Sequence, residues 1–217
     1  HPMTAPPKAP TLKGRVMVVS EARLDRWRGW LDVFLVALEA ECVQASPEQH
    51  DRVMALVQAM VHATHLAQAG VLRSQAAHVG DLAAVMPFRS ASFEMDAAVI
   101  ARILSLNPAI YEDIQFGNPH AGEILQALGQ QIGRMASLVG EGSDASRAAF
   151  RDEFLHGNRE AIGTTSLADG NYSYERIGYL LADLAAGQSI SVHLPDDRPG
   201  ALRSLLHVFE RHAVSLS

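Results

Sequence analysis

Two histidines and an arginine stand on helical stretches that are otherwise apolar. His50, next to Asp51, falls at a helix start, and His62 follows about three turns further in. Arg102 lies within the run AVIARILSLNPAIYEDI. Polar and charged groups are costly to bury, so each needs a partner or a ligand. A planar guanidinium grips a carboxylate through two parallel hydrogen bonds, and an imidazole exchanges a proton near neutral pH. Residues of these types point to a site for a small acidic organic molecule. His65 stands three residues past His62, but no carboxylate or third ligand completes a set around the pair, and no metal is expected. Arg102 has rival partners in Glu94 and Asp113, either of which would occupy its guanidinium.

The elements that must position these groups fall into four blocks, at 1–48, 49–160, 161–187 and 188–217. In the first, a proline-rich opening leads to GRVMVVS at 14–20, a β-branched run that reads as a buried strand. A helix follows from Glu21 to Ala40, and then ECVQAS at 41–46 as a second strand. Strand, helix and strand within this span form the parallel crossover unit of an α/β sheet. The second block reads as almost entirely helical. Ser46-Pro47-Glu48 is a start signal, with serine as cap and proline at the first helical position. That helix is expected to reach about Leu72, with further helices at 74–86, 91–106, 108–116, 119–139 and 144–158. Pro108 ends the one before it, because a residue preceding proline avoids helical geometry. The third block opens as a polar linker, GTTSLADGNYS, and turns helical at about 174–186. The fourth reads as strand 189–194, a turn, a helix carrying Leu202, Leu205, Leu206 and Phe209, and the start of another strand. A strand, a helix and half a strand close no core of their own, so the natural unit is expected to continue past Ser217.

Bulk properties narrow the classes. The 217 residues are 48% apolar, ample for a packed core. A net charge of −6 argues against a nucleic-acid surface, where lysine and arginine would cluster. No apolar run approaches the ~20 residues of a membrane span, because Asp32 interrupts the best candidate. The lone cysteine, Cys42, permits no disulfide within the chain and reads as a small core residue in a strand. A cytoplasmic protein with no membrane partner is the expectation.

Four motifs, in order and suitably separated, resemble prephenate dehydrogenase, the enzyme that oxidatively decarboxylates prephenate on the way to tyrosine. They are HPM at 1–3, LKGRVMVVS at 12–20, EQHDRVMALVQAMVHATHLA at 48–67 and FEMDAAVIARILSLNPAIYEDI at 93–114. Residues 189–217 resemble the opening half of an ACT domain, a regulatory module that binds amino acids. The resemblance implies a mainly α chain: the C-terminal part of a Rossmann domain, an all-helical dimerisation domain and a partial ACT-like α+β segment. It also implies NAD or NADP as cofactor, prephenate or arogenate as substrate, and a homodimer. An amino-acid effector, with tyrosine suggested by the pathway, belongs to the same expectation. No G-x-G-x-x-G occurs, so the pyrophosphate site of such an enzyme is not in this sequence, which reads as a piece of something longer.

The family's residues carry over position by position. His1 matches the histidine beside the hydroxyl on the substrate ring, where a neutral imidazole accepts the hydroxyl proton. Arg102 matches the arginine that grips a substrate carboxylate. His62 matches a site histidine on the long helix, and Tyr111 an aromatic near the pocket. His50-Asp51 is characteristic of the family and is expected to fix the helix start, with Asp51 near the positive end of the helix dipole. Asp197 and Gly200, with Pro199, match the strand-to-helix turn where ACT domains hold an amino acid. After HPM the sequence departs from the usual pattern at Thr4-Ala5-Pro6-Pro7-Lys8, which leaves the choice between prephenate and arogenate open. The rival reading is a non-catalytic helical dimerisation module coupled to an amino-acid-sensing ACT domain. A glycine fingerprint upstream in the gene would separate the two.

Overall fold

A computed structural model of the chain describes residues 1–4, 12–186 and 198–212, with the side chains of 178–186 excepted. It divides into two compact units, His1–Ile162 and Gly163–Ser217, and helix dominates both.

The first unit opens with a small sheet. Strands β1 (Val16–Val19) and β2 (Glu41–Gln44) run parallel, in register from Val16 opposite Glu41 to Val19 opposite Gln44. Helix α1 (Arg28–Leu38) makes the crossover between them. On the other edge of β1, the segment His1–Met3 pairs antiparallel. Val18 donates to the His1 carbonyl at 2.9 Å and Met3 to the Val16 carbonyl at 2.8 Å. Three expectations are corrected here. Helix α1 starts at Arg28 and not at Glu21, because the chain turns first, with Arg23 at φ 54° in the left-handed region. Of β1 only Val19 is buried, and Cys42 on β2 is exposed, not a core residue. A two-stranded sheet has too few neighbours among the described residues to bury both of its faces.

Ser46 caps the next helix by accepting from the Gln49 backbone N–H at 3.1 Å, and Pro47 fills the first turn. Helix α2 (Pro47–Met54) then runs without interruption through a π turn, Ala55–Met60, into α3 (Val61–Val79). The stretch passes Leu72, where an end was expected, and the separate helix expected over 74–86 does not form. Residues 73–79 are mostly good helix formers, and the first residue suited to a stop is Gly80, at φ 84°. A Cβ there would also meet that of Ala84 at 2.6 Å. Short α4 (Leu82–Val85) follows, and then α5 (Ala91–Ser105), α6 (Pro108–Gly117) and α7 (Ala121–Glu141). Helix α8 (Asp144–Phe150), a second π turn at Arg151–His156 and α9 (Gly157–Ile162) complete the unit.

The core explains which helices meet. Ala55 and Ala59 are fully buried where the first π turn packs against α7, whose own Ala121 is buried too. Alanines let the two backbones approach closely. On the other side α5 packs on α3 and buries Ala97, Ile100 and Ile103, spaced three apart along one face. Each buried isoleucine contributes roughly 1.5–3 kcal/mol.

In the second unit, GTTSLADGNYS is helical, not a linker: α10 spans Thr164–Ala186. Pairs one turn apart support it, with Asn171 donating to Glu175 at 3.2 Å and Arg176 lying over the Tyr172 ring at 5.6 Å. Helix α11 (Ala201–Arg211) occupies the place foreseen for it, after Gly200 at φ 93°. The strands expected at 189–194 and after the last helix, and Asp197, lie outside the described residues. No helix among the described residues is long and apolar enough to cross a membrane.

Candidate active site

The antiparallel pairing of His1–Met3 on β1 carries the His1 ring to the first turns of α2. Its Nδ1 lies 2.7 Å from Nε2 of His50, and the two rings meet edge to face at 5.0 Å. On its far side, Nδ1 of His50 donates to the Asp51 carboxylate at 2.8 Å. The other nitrogen of His1, Nε2, lies 3.3 Å from the side-chain amide of Gln58, in the π turn. His1 is thus held from three directions: by the sheet edge, by the start of α2 and by the π turn.

Two amides from the α6 end brace this arrangement. Asn118 donates from Nδ2 to the Asp51 carbonyl at 2.8 Å, and Gln115 donates to the Ala59 carbonyl at 2.9 Å. A π turn alters the regular carbonyl-to-amide ladder, and such turns gather at functional sites.

A second cluster lies one turn beyond Gln58. His62 meets the ring of Tyr111 edge-on at 5.1 Å and 82°. The Nδ1 atom of His62 is buried without a hydrogen-bond partner, as is Oε1 of Gln115. Burial, reinforced by the charge of His65, holds the His62 imidazole below its usual pKa and so favours the neutral ring. Beside it a mostly apolar cleft of about 300 Å³ is lined by Leu66, Ile103, Leu106, Tyr111 and Phe116, among others. The cleft is wide enough for a small ring and offers few polar groups to orient it.

Of the residues singled out from sequence, the structure brings His62 and Tyr111 together. Arg102 stands exposed on α5, and no hydrogen bond or ion pair engages its guanidinium among the described residues. Glu94, a rival partner, is taken by Arg89 at 3.1 Å. No hydrogen bond or ring contact joins Arg102 to His1, His62 or Tyr111. His65 has a structural role: Nδ1 donates to the Val61 carbonyl at 2.8 Å, and Nε2 faces Asp96 of α5 at 3.3 Å. No group of three or more metal-ligating side chains occurs among the described residues. Gly200 precedes α11 in the second unit.

Sequence reading missed the engagement of His50, Asp51 and Gln58 with His1, and the bracing by Gln115 and Asn118. Only the adjacency of His50 and Asp51 at a helix start hinted at it. At the carboxyl ends of the two strands, Glu21, Gln44, Ser46 and Gln49 line an open hollow of about 450 Å³. Ligands of open α/β sheets bind at that edge. No glycine-rich strand-to-helix turn accompanies it, so the described residues do not fit a dinucleotide pyrophosphate.

A probable arogenate/prephenate dehydrogenase of Methanocaldococcus jannaschii is 28% identical over 142 residues, 64% of this chain and 31% of its own length. A 4-amino-4-deoxyprephenate dehydrogenase of Streptomyces pristinaespiralis is 34% identical over 111 residues, 51% of this chain and 36% of its own. The chain therefore spans about a third of the length of these relatives. Residues 46–151, from the cap of α2 to the second π turn, match the dimerization domain of prephenate dehydrogenase, and by that domain the chain belongs to the prephenate dehydrogenase family.

Proposed function

We propose that the full-length protein is an NAD- or NADP-dependent dehydrogenase that converts prephenate, or its aminated form arogenate, by oxidative decarboxylation. With prephenate the product is 4-hydroxyphenylpyruvate. The observation that carries this reading is the His1 imidazole, fixed through His50 and aimed from the sheet edge into the helical domain. His1 takes the proton of the ring hydroxyl as the carbinol carbon is oxidised. The nicotinamide cofactor, when bound, accepts the hydride. Carbon dioxide then leaves with its bonding electrons passing into the ring, which becomes aromatic.

The remaining residues bind and orient. Arg102, with a free guanidinium, receives a substrate carboxylate. Neutral His62 offers its unpartnered Nδ1 to a polar substrate atom, and Tyr111 holds that imidazole in place. The dinucleotide's phosphates are held by residues other than those described here. Gly200, in the left-handed region ahead of α11, fits an ACT-like turn for an amino-acid effector such as tyrosine. Two copies are proposed to pair through the helical domain. Support comes from the dimerization-domain match and from apolar side chains left exposed on the π turn and α7.

The test is to incubate the full-length protein with NAD or NADP and either prephenate or arogenate. Reduced cofactor and carbon dioxide should form in equal amounts with at least one pair. No reduction with any pair would overturn the reading.

A further inference from the structure

The geometry points to a directional relay in which Asp51, acting through His50, fixes the proton on Nδ1 of His1 and leaves Nε2 free to act as the base. This rests on the dehydrogenase reading for its chemistry, but the relay itself follows from the order of donors and acceptors.

A carboxylate only accepts, so the 2.8 Å contact between His50 Nδ1 and Asp51 Oδ1 requires the proton on His50 Nδ1. Neutral His50 then presents a lone pair at Nε2. The 2.7 Å contact from that atom to His1 Nδ1 therefore requires the proton on His1 Nδ1. This leaves the lone pair of His1 on Nε2, where the Gln58 amide, a donor, lies at 3.3 Å. Every link is satisfied by one arrangement of protons, which runs from Gln58 to Asp51.

The consequence for the reaction is specific. The substrate hydroxyl replaces the Gln58 amide at His1 Nε2 and gives up its proton there. The O–H bond breaks, an N–H bond forms, and His1 becomes an imidazolium. No second proton needs to move, since the cation donates through Nδ1 to His50, whose ring is polarised by the Asp51 carboxylate beyond it. His50 and Asp51 are thus positioning residues, and only His1 touches the reacting atoms. Asn118 holds the Asp51 backbone, so the carboxylate is anchored independently of its own side-chain bond.

The imidazole nitrogen NMR spectrum of the full chain reads this without catalysis. His1 and His50 should both carry their proton on Nδ1 when neutral. In Asp51→Asn the charge that orders the chain is gone. His1 should then lose its exclusive Nδ1–H form, and kcat should fall at least about tenfold while the KM for substrate stays within about threefold. Neutral His1 protonated on Nε2 in the unmodified protein would overturn the relay, as would Asp51→Asn turnover equal to the parent. A protein that shows the Nδ1–H pattern but oxidises neither prephenate nor arogenate would keep the relay and refute the dehydrogenase reading.

Discussion

Asn118 and Asp51, 67 residues apart in sequence, are joined by a 2.8 Å hydrogen bond from side-chain amide to backbone carbonyl. The same asparagine accepts from the His120 backbone N–H at 2.8 Å, which turns the chain into α7. One side chain thus links the start of α7 to the turn that carries His50 and Asp51. Asn118→Ala should lower stability by about 1–3 kcal/mol, the cost of two lost bonds and a half-buried carbonyl left without its partner. A denaturant titration of the two proteins measures it. An unchanged midpoint would show that the bond contributes nothing to the fold.

His62 gives the protein a pH dependence of known sign. Burial, with His65 adding to it, lowers its pKa in the folded state. The unfolded chain therefore binds a proton at this position more readily than the folded one, and stability falls as pH drops below about 6.5. The loss levels off once pH is below the folded value. Replacing His62 with Gln should flatten the acid side of a plot of stability against pH. A slope identical to that of the parent would mean that His62 does not titrate as its surroundings require.

Much of the helical domain was legible because its signals are local. Ser46 caps α2 from within its own first turn, with Pro47 beside it, and Pro108 marks the boundary between α5 and α6. Elements whose fate depends on distant neighbours were harder to read. Cys42 looked like a core residue, but its exposure depends on what packs against a two-stranded sheet. The polar composition of 163–173 suggested a linker, while pairs one turn apart, such as Asn171 with Glu175, support a helix there. The same division runs through the candidate site. His62 and Arg102 stood out by residue type on apolar helices, whereas His1 and Tyr111 came only through a resemblance of motifs. The contact between His1 and His50 bridges a strand edge and a helix start, and no local pattern announces it.

Glu94, one of the rival partners of Arg102, is paired with Arg89, and no ion pair engages the Arg102 guanidinium among the described residues. Arg102→Ala in the full-length protein should raise the KM for prephenate by about tenfold to a hundredfold, the worth of a charge-assisted hydrogen bond to a carboxylate. The KM for the nicotinamide cofactor should change little. An equal rise in both would place Arg102 outside the substrate site.

The proposed dimer leaves a mark on its apolar surface. Leu56 and Val57 on the π turn are 45% and 47% exposed, and Ile132 and Val139 on α7 are 53% and 68% exposed. Large apolar side chains left in water on two packed elements are suited to burial against a partner. Sedimentation should show a dimer for the parent and a shift to monomer for Leu56→Asp combined with Ile132→Asp. A parent that sediments as a monomer would contradict the proposed assembly.

The most direct test of the account is the turnover of His1→Asn in the full-length protein, since the roles given to His50, Asp51 and Gln58 all act through that imidazole. Asparagine can hydrogen-bond but cannot take a proton. We expect kcat to fall by about 10²–10⁴-fold, the contribution of a positioned general base, with the substrate KM nearly unchanged. Turnover equal to that of the parent would remove His1 from the chemistry and contradict the account at its centre.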